Sequence, residues 1–151
     1  MRNRKVPWGS PQSEAFREII SALTSHPALA TADWERAFTL HTDASELAAG
    51  AVLTQDVQGR EAPLGYVSHR FTLAEEKLSP NNQEVLGVLY GIEQFCTYLR
   101  HRRFTLITDC AALTWLFTSQ NFSSKMHRWA LRLMEFDIDP KWRKGRRPHC
   151  S

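Results

Sequence analysis

The 151 residues fit one ordinary domain, and an apolar fraction of 42% with 11% aromatic residues can fill a core, which argues against disorder. The net charge is only +3, but the carboxyl-terminal part is basic, so it either faces a polyanion or forms a solvated helix and tail. The three cysteines show no C-x-x-C spacing, so neither a disulfide framework nor a zinc site is indicated.

The sequence shows no membrane span and no secretory signal. No apolar run approaches the ~18–20 residues that a transmembrane helix needs. The basic start, MRNRKVPWGS, has no apolar stretch behind it. We therefore expect an intracellular protein, cytoplasmic or nuclear, with no membrane partner.

The amino-terminal half predicts one helix followed by three strands. A helical stripe of apolar residues begins at Phe16 and is followed shortly by Pro27. Alternating apolar residues then predict strands in AFTLHTDA, AAGAVLTQ and APLGYVSH. The short turns between these strands favour an antiparallel meander.

The carboxyl-terminal half predicts a long helix, then a strand, two helices and a last strand. Ser79 can cap the long helix, which we expect over about residues 80–100. The later elements are predicted, in order, in RFTLITD, AALTWLF, SSKMHRWALRLMEF and FDIDPKW. A strand, a crossover helix and another strand favour parallel neighbours, so the sequence predicts an α/β fold with a mixed five-stranded sheet flanked by helices.

Two matching phrases end in a carboxylate. FTLHTDAS contains Asp43, and FTLITDCA contains Asp109, which lies 66 positions later. If the first and fourth strands pair in parallel, both phrases end at the same edge of the sheet, where open α/β sheets place their sites. Two carboxylates ~4 Å apart repel by roughly 4 kcal/mol at an effective dielectric of 20, so such a pair needs a proton, a cation or a metal ion.

A third carboxylate, Glu84, lies near the start of the long helix. It either leans over the sheet edge toward the two aspartates or is an acid that interacts favourably with the helix dipole. Three carboxylates without a cysteine or histidine partner suit a hard cation such as Mg²⁺ or Mn²⁺.

Several blocks of the sequence resemble a known family. They are FTLHTDASELAAGAVLTQ, PLGYVSHRFTLAEEKLSPNNQEVLGVLYGIEQFCTYLRHRRFTLITDCAALTWL and RWALRLMEFD. In order and spacing they resemble the RNase H domain of reverse transcriptases from gypsy-like LTR retrotransposons. Residues 1–36 resemble the segment that joins polymerase to RNase H, and residues 37–151 then form an RNase H-like domain.

The resemblance implies a metal-dependent endonuclease that cleaves the RNA strand of RNA–DNA hybrids. Asp43, Glu84 and Asp109 would hold the metal ions, Mg²⁺ or Mn²⁺. Lys125 and Arg128 are candidates for phosphate contacts. The family also implies that the polymerase portion of a parent polyprotein is a partner.

Two serines near the predicted sheet edge complete the set of candidate residues for binding nucleic acid. Ser45 and Ser68 could contact ribose 2′-hydroxyls, or they could form ordinary local hydrogen bonds. Trp129 is expected in the core rather than as a stacking platform for bases.

The family pattern also includes a fourth metal-binding aspartate after the last strand. Here RKGRRPHCS follows the family path, and no acidic residue comes after Asp139. We therefore expect the second ion to lose a ligand and cleavage to be weakened.

Other functions fit the sequence less well. A catalytically inactive, domesticated or decayed RNase H-like module that binds nucleic acid or protein is the main alternative, although three carboxylates remain. A DDE-type integrase or transposase shares the fold but has its glutamate last. A phosphate-cradling NTPase is disfavoured because no glycine-rich loop follows a strand.

Overall fold

The computed structural model describes residues 31–108, 111, 113, 114, 116 and 123–142, with only the backbone of Trp142. Strands in this part are β1 (Phe38–Ala44), β2 (Ala48–Val57), β3 (Arg60–Arg70), β4 (Phe104–Thr108) and β5 (Ile138–Trp142). Helices in this part are α1 (Leu73–Glu76), α2 (Pro80–Gln94), α3 (Cys96–Leu99) and α4 (Ser124–Leu133), and the four isolated residues between β4 and α4 are also helical.

The five strands form one sheet in the order β3-β2-β1-β4-β5. The pairs β1–β2 and β2–β3 are antiparallel, whereas β1–β4 and β4–β5 are parallel. This confirms the predicted mixed sheet, in which a meander of three strands continues into parallel strands. Since β1, β3, β4 and β5 run in the same direction, their carboxyl ends define one edge of the sheet, called the carboxyl edge below, and their starts define the amino edge.

The turns of the meander follow from local backbone chemistry. The β2–β3 turn has positive φ at Gln58 (57°) and Gly59 (81°), the two central positions of a tight hairpin. In the β1–β2 turn, the Ser45 amide donates to the carbonyl of Ala48 at 2.8 Å, and the Ser45 hydroxyl accepts from the amides of Leu47 and Ala48. These turns keep the three strands adjacent.

The crossover helix α2 begins where the sequence predicts but ends earlier. Ser79 caps it by accepting a hydrogen bond from the Asn82 amide at 3.2 Å, and Pro80 occupies the first turn. At Phe95 the backbone leaves helical geometry (φ −109°, ψ 22°), and α3 follows as a separate turn. The expected continuous helix over residues 80–100 was therefore wrong in length, because the apolar stripe continues across a break that its pattern does not reveal.

Two glycines let α2 approach the sheet closely. A Cβ atom on Gly91 would lie 2.8 Å from the Ala51 Cβ, and one on Gly87 would lie 3.1 Å from the Ala49 Cβ. Trp129 is buried as predicted and belongs to the core together with residues of β1, β2, β4, α2 and α4. Among the described residues, no helix is long and apolar enough to cross a membrane.

Several predictions concern residues outside the described part. The predicted first helix and nearly all of the proposed joining segment lie there, as do Asp109 and the basic tail after Trp142. Conversely, α1 was not predicted, although Thr72 followed by Glu75 is a capping-box pattern that the sequence displays.

Candidate active site

The parallel pair of β1 and β4 organises the carboxyl edge. Thr39, Leu40 and His41 pair with Thr105, Leu106 and Ile107. Farther along, the Thr42 hydroxyl donates to the Thr108 hydroxyl at 2.8 Å across 66 positions of sequence, and both side chains are buried. The repeated T-D phrases therefore run side by side, as predicted, as far as their threonines.

Asp43 follows Thr42 and lies at this edge. It is only 5% exposed, and its Oδ1 atom accepts a hydrogen bond from the Ala44 amide at 3.0 Å. A carboxylate so withdrawn from water has to be protonated, paired or bound to a cation. Asp43 thus has the burial expected of a functional carboxylate rather than of a surface acid.

Helix α2 carries Glu84 toward the same edge. A Cβ on Gly91 would meet the Thr42 methyl at 3.4 Å, and one on Gly87 would lie 3.8 Å from the Asp43 carbonyl oxygen. Glu84 precedes Gly87 by three positions and Gly91 by seven, so it shares their helix face. Since Gly91 lies beside Thr42 and Gly87 beside Asp43, Glu84 lies farther toward the carboxyl edge than Asp43. The Oε1 atom of Glu84 is buried. This position agrees with a carboxylate leaning over the edge, although the helix dipole also favours an acid in these first turns.

The third predicted ligand, Asp109, lies outside the described residues. Within the described part, no group of three histidine, cysteine, aspartate or glutamate side chains is placed to hold a metal ion. The structure therefore brings Asp43 and Glu84 to one edge, and the predicted role of Asp109 stays a prediction.

The two candidate serines have different environments. Ser45 is occupied within the β1–β2 turn, where its hydroxyl also donates to the Ala48 carbonyl at 3.3 Å. Ser68 is exposed and lies two strands from Asp43, because Asp43 pairs with Gly50 and Gly50 pairs with Ser68. Its backbone carbonyl accepts from the Tyr90 hydroxyl at 3.1 Å. Ser68 is thus the better placed of the two for an external ligand.

Lys125 and Arg128 are exposed on α4, a helix without an acidic residue between Ser124 and Leu133. The Lys125 ammonium lies 5.8 Å from the centre of the Trp129 ring. Arg128 lines a shallow depression of about 380 Å³ beside Ser123, Ser124 and His127. Farther along the helix, Arg132 pairs with Glu93 of α2. The first turns of α4 therefore present a cationic surface that polyanions can approach.

Two hydrogen bonds between a histidine and a glutamate near the sheet were not predicted. His41 Nε2 lies 2.5 Å from Glu61 Oε1, and this hydrogen bond with His41 holds the pKa of Glu61 below its ordinary value near 4.5. His69 Nε2 lies 2.9 Å from Glu75 Oε1. Burial acts to raise the pKa of Glu75, but hydrogen bonds from the Thr72 backbone and from His69 outweigh it and lower that pKa.

Another residue that the sequence reasoning missed is Gln83, whose side chain is buried beside Glu84. Its Nε2 atom donates to carbonyl oxygens of the β1–β2 turn and of α1. A glutamine next to a candidate ligand is visible in the sequence, but its partners are not.

Comparison with known proteins agrees with this architecture. Residues 33–136 match the family model of the RNase H-like domain found in reverse transcriptase. The chain is 35% identical over 150 residues to the retrovirus-related Pol polyprotein from transposon 412 of Drosophila melanogaster, covering 99% of this chain and 12% of the polyprotein. It is 29% identical over 149 residues to the transposon Tf2-3 polyprotein of Schizosaccharomyces pombe, covering 95% of this chain and 11% of that polyprotein. The chain thus spans about one eighth of the length of these relatives.

Solved structures show the same fold. The foamy viral protease-reverse transcriptase in complex with an RNA/DNA hybrid superposes with a TM-score of 0.65 at 19% identity, covering 100% of this chain and 21% of that one. Its complex with double-stranded DNA gives a TM-score of 0.68 at 18% identity, covering 97% and 32%. The fold, the family match and the identity to transposon polyproteins agree: the chain belongs to the family of RNase H-like domains of reverse transcriptases, in the form found in gypsy-like retrotransposons.

Proposed function

We propose that this domain hydrolyses the RNA strand of RNA–DNA hybrids, using divalent metal ions held by Asp43, Glu84 and Asp109. The observation that carries the proposal is the parallel pairing of β1 and β4, in which Thr42 contacts Thr108 across 66 positions. Asp43 and Asp109 follow these threonines at the same separation in sequence. Since paired parallel strands end at one edge, this register supports a shared site for both carboxylates.

The residues at this edge fit a hard divalent cation. Asp43 is 5% exposed and the Oε1 atom of Glu84 is buried, so carboxyl oxygens at this edge are withdrawn from water, where a bound cation would stabilise their charged form. Carboxylate oxygens are the ligands that Mg²⁺ and Mn²⁺ prefer. When bound, such ions would activate an attacking water and stabilise the leaving 3′ oxygen of the phosphodiester.

Other residues would bind and orient the hybrid. Lys125 and Arg128 are exposed on a helix whose own sequence carries no negative charge, which supports phosphate contacts that position the duplex. Ser68 lies two strands, roughly 10 Å, from Asp43, and an exposed hydroxyl there can contact a ribose 2′-hydroxyl in the shallow minor groove. Ser45 is expected to shape the turn after Asp43.

Substitution of Asp43 tests the proposal most directly. We expect Asp43→Asn to abolish metal-dependent cleavage of a labelled RNA–DNA hybrid, because the amide is a poorer metal ligand than the carboxylate. Hybrid binding should persist, and thermal stability should be unchanged or slightly higher because like-charge repulsion at the edge is relieved.

A matched control is Asp56→Asn, which changes an exposed aspartate at the amino edge and should cleave like the unmodified chain. Cleavage by Asp43→Asn at the unmodified rate would overturn the proposal. A chain that binds the hybrid but shows no metal-dependent cleavage, even when it is extended by a tail that supplies a fourth aspartate, would instead favour the inactive binding module.

The expected rate of hybrid cleavage depends on a fourth carboxylate. No acidic side chain follows Asp139 in these 151 residues. Asp139 itself lies on β5, where it pairs with Thr105 of β4, and its carboxylate is 3.8 Å from the Arg103 guanidinium, away from the carboxyl edge. We therefore expect slow cleavage from the 151-residue polypeptide in Mg²⁺, partly restored by Mn²⁺. Extension by a short tail ending in Ala-Asp should raise the Mg²⁺ rate, and equal rates with and without the tail would contradict this expectation.

A further inference from the structure

We infer that Gln83 is a positioning residue, which fixes the carboxyl edge so that Asp43 and Glu84 hold their ion in one geometry. The inference rests on the proposed metal-dependent function. Gln83 lies immediately before Glu84 in α2 and is 6% exposed. A buried, uncharged side chain beside a candidate ligand acts through the groups that it contacts.

Those groups are three backbone carbonyl oxygens from two separate segments. The Gln83 Nε2 atom lies 3.4 Å from the carbonyl oxygen of Glu46, in the turn that follows Asp43. It lies 3.2 Å and 3.4 Å from the carbonyl oxygens of Glu75 and Glu76, which belong to α1. One side-chain amide therefore joins α2, α1 and the β1–β2 turn.

The joined segments also contact each other directly. The amide of Phe71, just before α1, donates to the carbonyl of Leu47 at 2.8 Å. That bond connects α1 to the turn, whereas the Gln83 contacts connect both of them to the helix that carries Glu84. Loss of the Gln83 donors would leave these partly buried carbonyl oxygens facing an apolar side chain.

This arrangement couples the position of Glu84 to that of Asp43. Glu46 follows Asp43 by three residues, and Gln83 precedes Glu84 by one. A shift of the turn relative to α2 would change the separation of the two carboxylates and weaken their hold on a cation. Residues that orient metal ligands in this way typically change metal affinity by about 10–100-fold when they are replaced.

Two substitutions at Gln83 separate this role from simple packing. Gln83→Met keeps the length of the side chain and removes both N–H donors. Gln83→Asn keeps the amide but draws it back by one methylene. Gln94→Met is the matched control, because Gln94 is an exposed glutamine at the end of the same helix.

The measurement is the affinity for Mn²⁺ alone, determined by titration calorimetry on the folded 151-residue chain, with Asp43→Asn as the reference for a lost ligand. We expect Gln83→Met to bind Mn²⁺ about tenfold more weakly than the unmodified chain. Gln94→Met should match the unmodified chain. If Gln83→Met does not fold, Gln83→Asn should show a smaller loss of the same kind.

Two results would overturn the inference and can be told apart. If Gln83→Met, or Gln83→Asn in its place, binds Mn²⁺ within twofold of the unmodified chain while Asp43→Asn binds weakly, the metal site stands and the positioning role of Gln83 falls. If the unmodified chain and Asp43→Asn bind Mn²⁺ equally, the proposed metal site fails and the role of Gln83 fails with it.

Discussion

The amino and carboxyl edges of the sheet are built from different kinds of contact. At the amino edge, the Gln55 side chain is 1% exposed and pairs with backbone. Its Oε1 atom accepts from the Asp33 amide at 2.9 Å, and its Nε2 atom donates to the carbonyl oxygens of Asp33 at 2.7 Å and Arg36 at 3.2 Å. A neutral amide thus fixes the segment that enters β1.

Aromatic rings add to this anchoring. The Trp34 ring stacks on Tyr98, with centroids 5.4 Å apart and planes inclined by 8°. The Arg102 guanidinium lies 5.4 Å from the centre of the Trp34 ring and donates to the Trp34 carbonyl at 2.8 Å. These contacts match donors with acceptors and rings with a cation, so they hold the segment before β1 rigidly against the sheet.

The carboxyl edge also contains a buried glutamine, Gln83, that joins separate segments. Unlike the amino edge, it also carries carboxylates whose charged form is disfavoured by burial. Gln83 resembles Gln55 in joining segments through carbonyl oxygens, whereas Asp43 and the buried oxygen of Glu84 bring negative charge to the edge. The comparison indicates that one edge contributes mainly stability. Under the proposed function, the other edge loses stability by burying carboxylates and gains the capacity to bind a cation.

The largest expected effect is that substitutions at the amino edge lower stability and leave activity unchanged, whereas substitutions at the carboxyl edge do the reverse. Gln55→Leu removes the partners of three backbone groups and should lower the free energy of unfolding by about 1–3 kcal/mol. Its cleavage rate per folded molecule should stay unchanged, because Gln55 lies at the amino edge. Urea denaturation and the hybrid-cleavage assay measure the two quantities on the same protein.

Asp43→Asn is the reciprocal variant, with activity lost and stability retained. If Gln55→Leu abolished cleavage while remaining folded, the two edges would be coupled and the comparison would be wrong. A Gln55→Leu chain as stable as the unmodified one would show that water replaces the glutamine without cost.

The meander, the parallel pairing of β1 with β4 and the place of Asp43 were predictable, because each follows from patterns that the sequence displays. Alternation marked the strands, and the crossover helix and the repeated T-D phrase indicated that β1 and β4 pair in parallel. The contact between Thr42 and Thr108 confirms this pairing as far as the threonines, and the place of Asp109 stays a prediction. The family resemblance rested on the same segments and is confirmed by the match over residues 33–136.

The contacts of the two buried glutamines, Gln83 and Gln55, were not predictable because their partners are remote in sequence. Gln83 reaches Glu46 across 37 positions, and Gln55 reaches Asp33 across 22. A buried glutamine adds nothing to hydrophobic periodicity, so the pattern that locates a helix or strand cannot show which carbonyl it meets. The break at Phe95 was missed for a related reason, since apolar residues continue on both sides of it.

A smaller effect is expected from the charge on α4. Arg128→Glu should weaken hybrid binding similarly for all sequences and reduce the dependence of affinity on salt, because phosphate contacts release counterions. The control is Arg60→Glu, which makes the same charge reversal at the amino end of β3 and should cause a smaller change. Equal changes for both variants, measured by fluorescence anisotropy at several salt concentrations, would assign the effect to net charge alone.

The smallest effect concerns the helix turn that Gln83 contacts. Glu75 accepts from the Thr72 amide at 2.9 Å, and despite partial burial its hydrogen bonds hold its pKa below the ordinary value near 4.5. A carboxylate whose pKa is lower in the folded state stabilises that state above the unfolded pKa, and the contribution disappears as the pH falls through the folded pKa. Glu75→Gln keeps an acceptor for Thr72 but removes the charge, so it should cost about 0.3–1 kcal/mol at neutral pH. The difference should vanish in acid below the lowered pKa, as followed by urea denaturation from pH 7 downward, and a difference that persisted there would show that Glu75 acts through shape rather than charge.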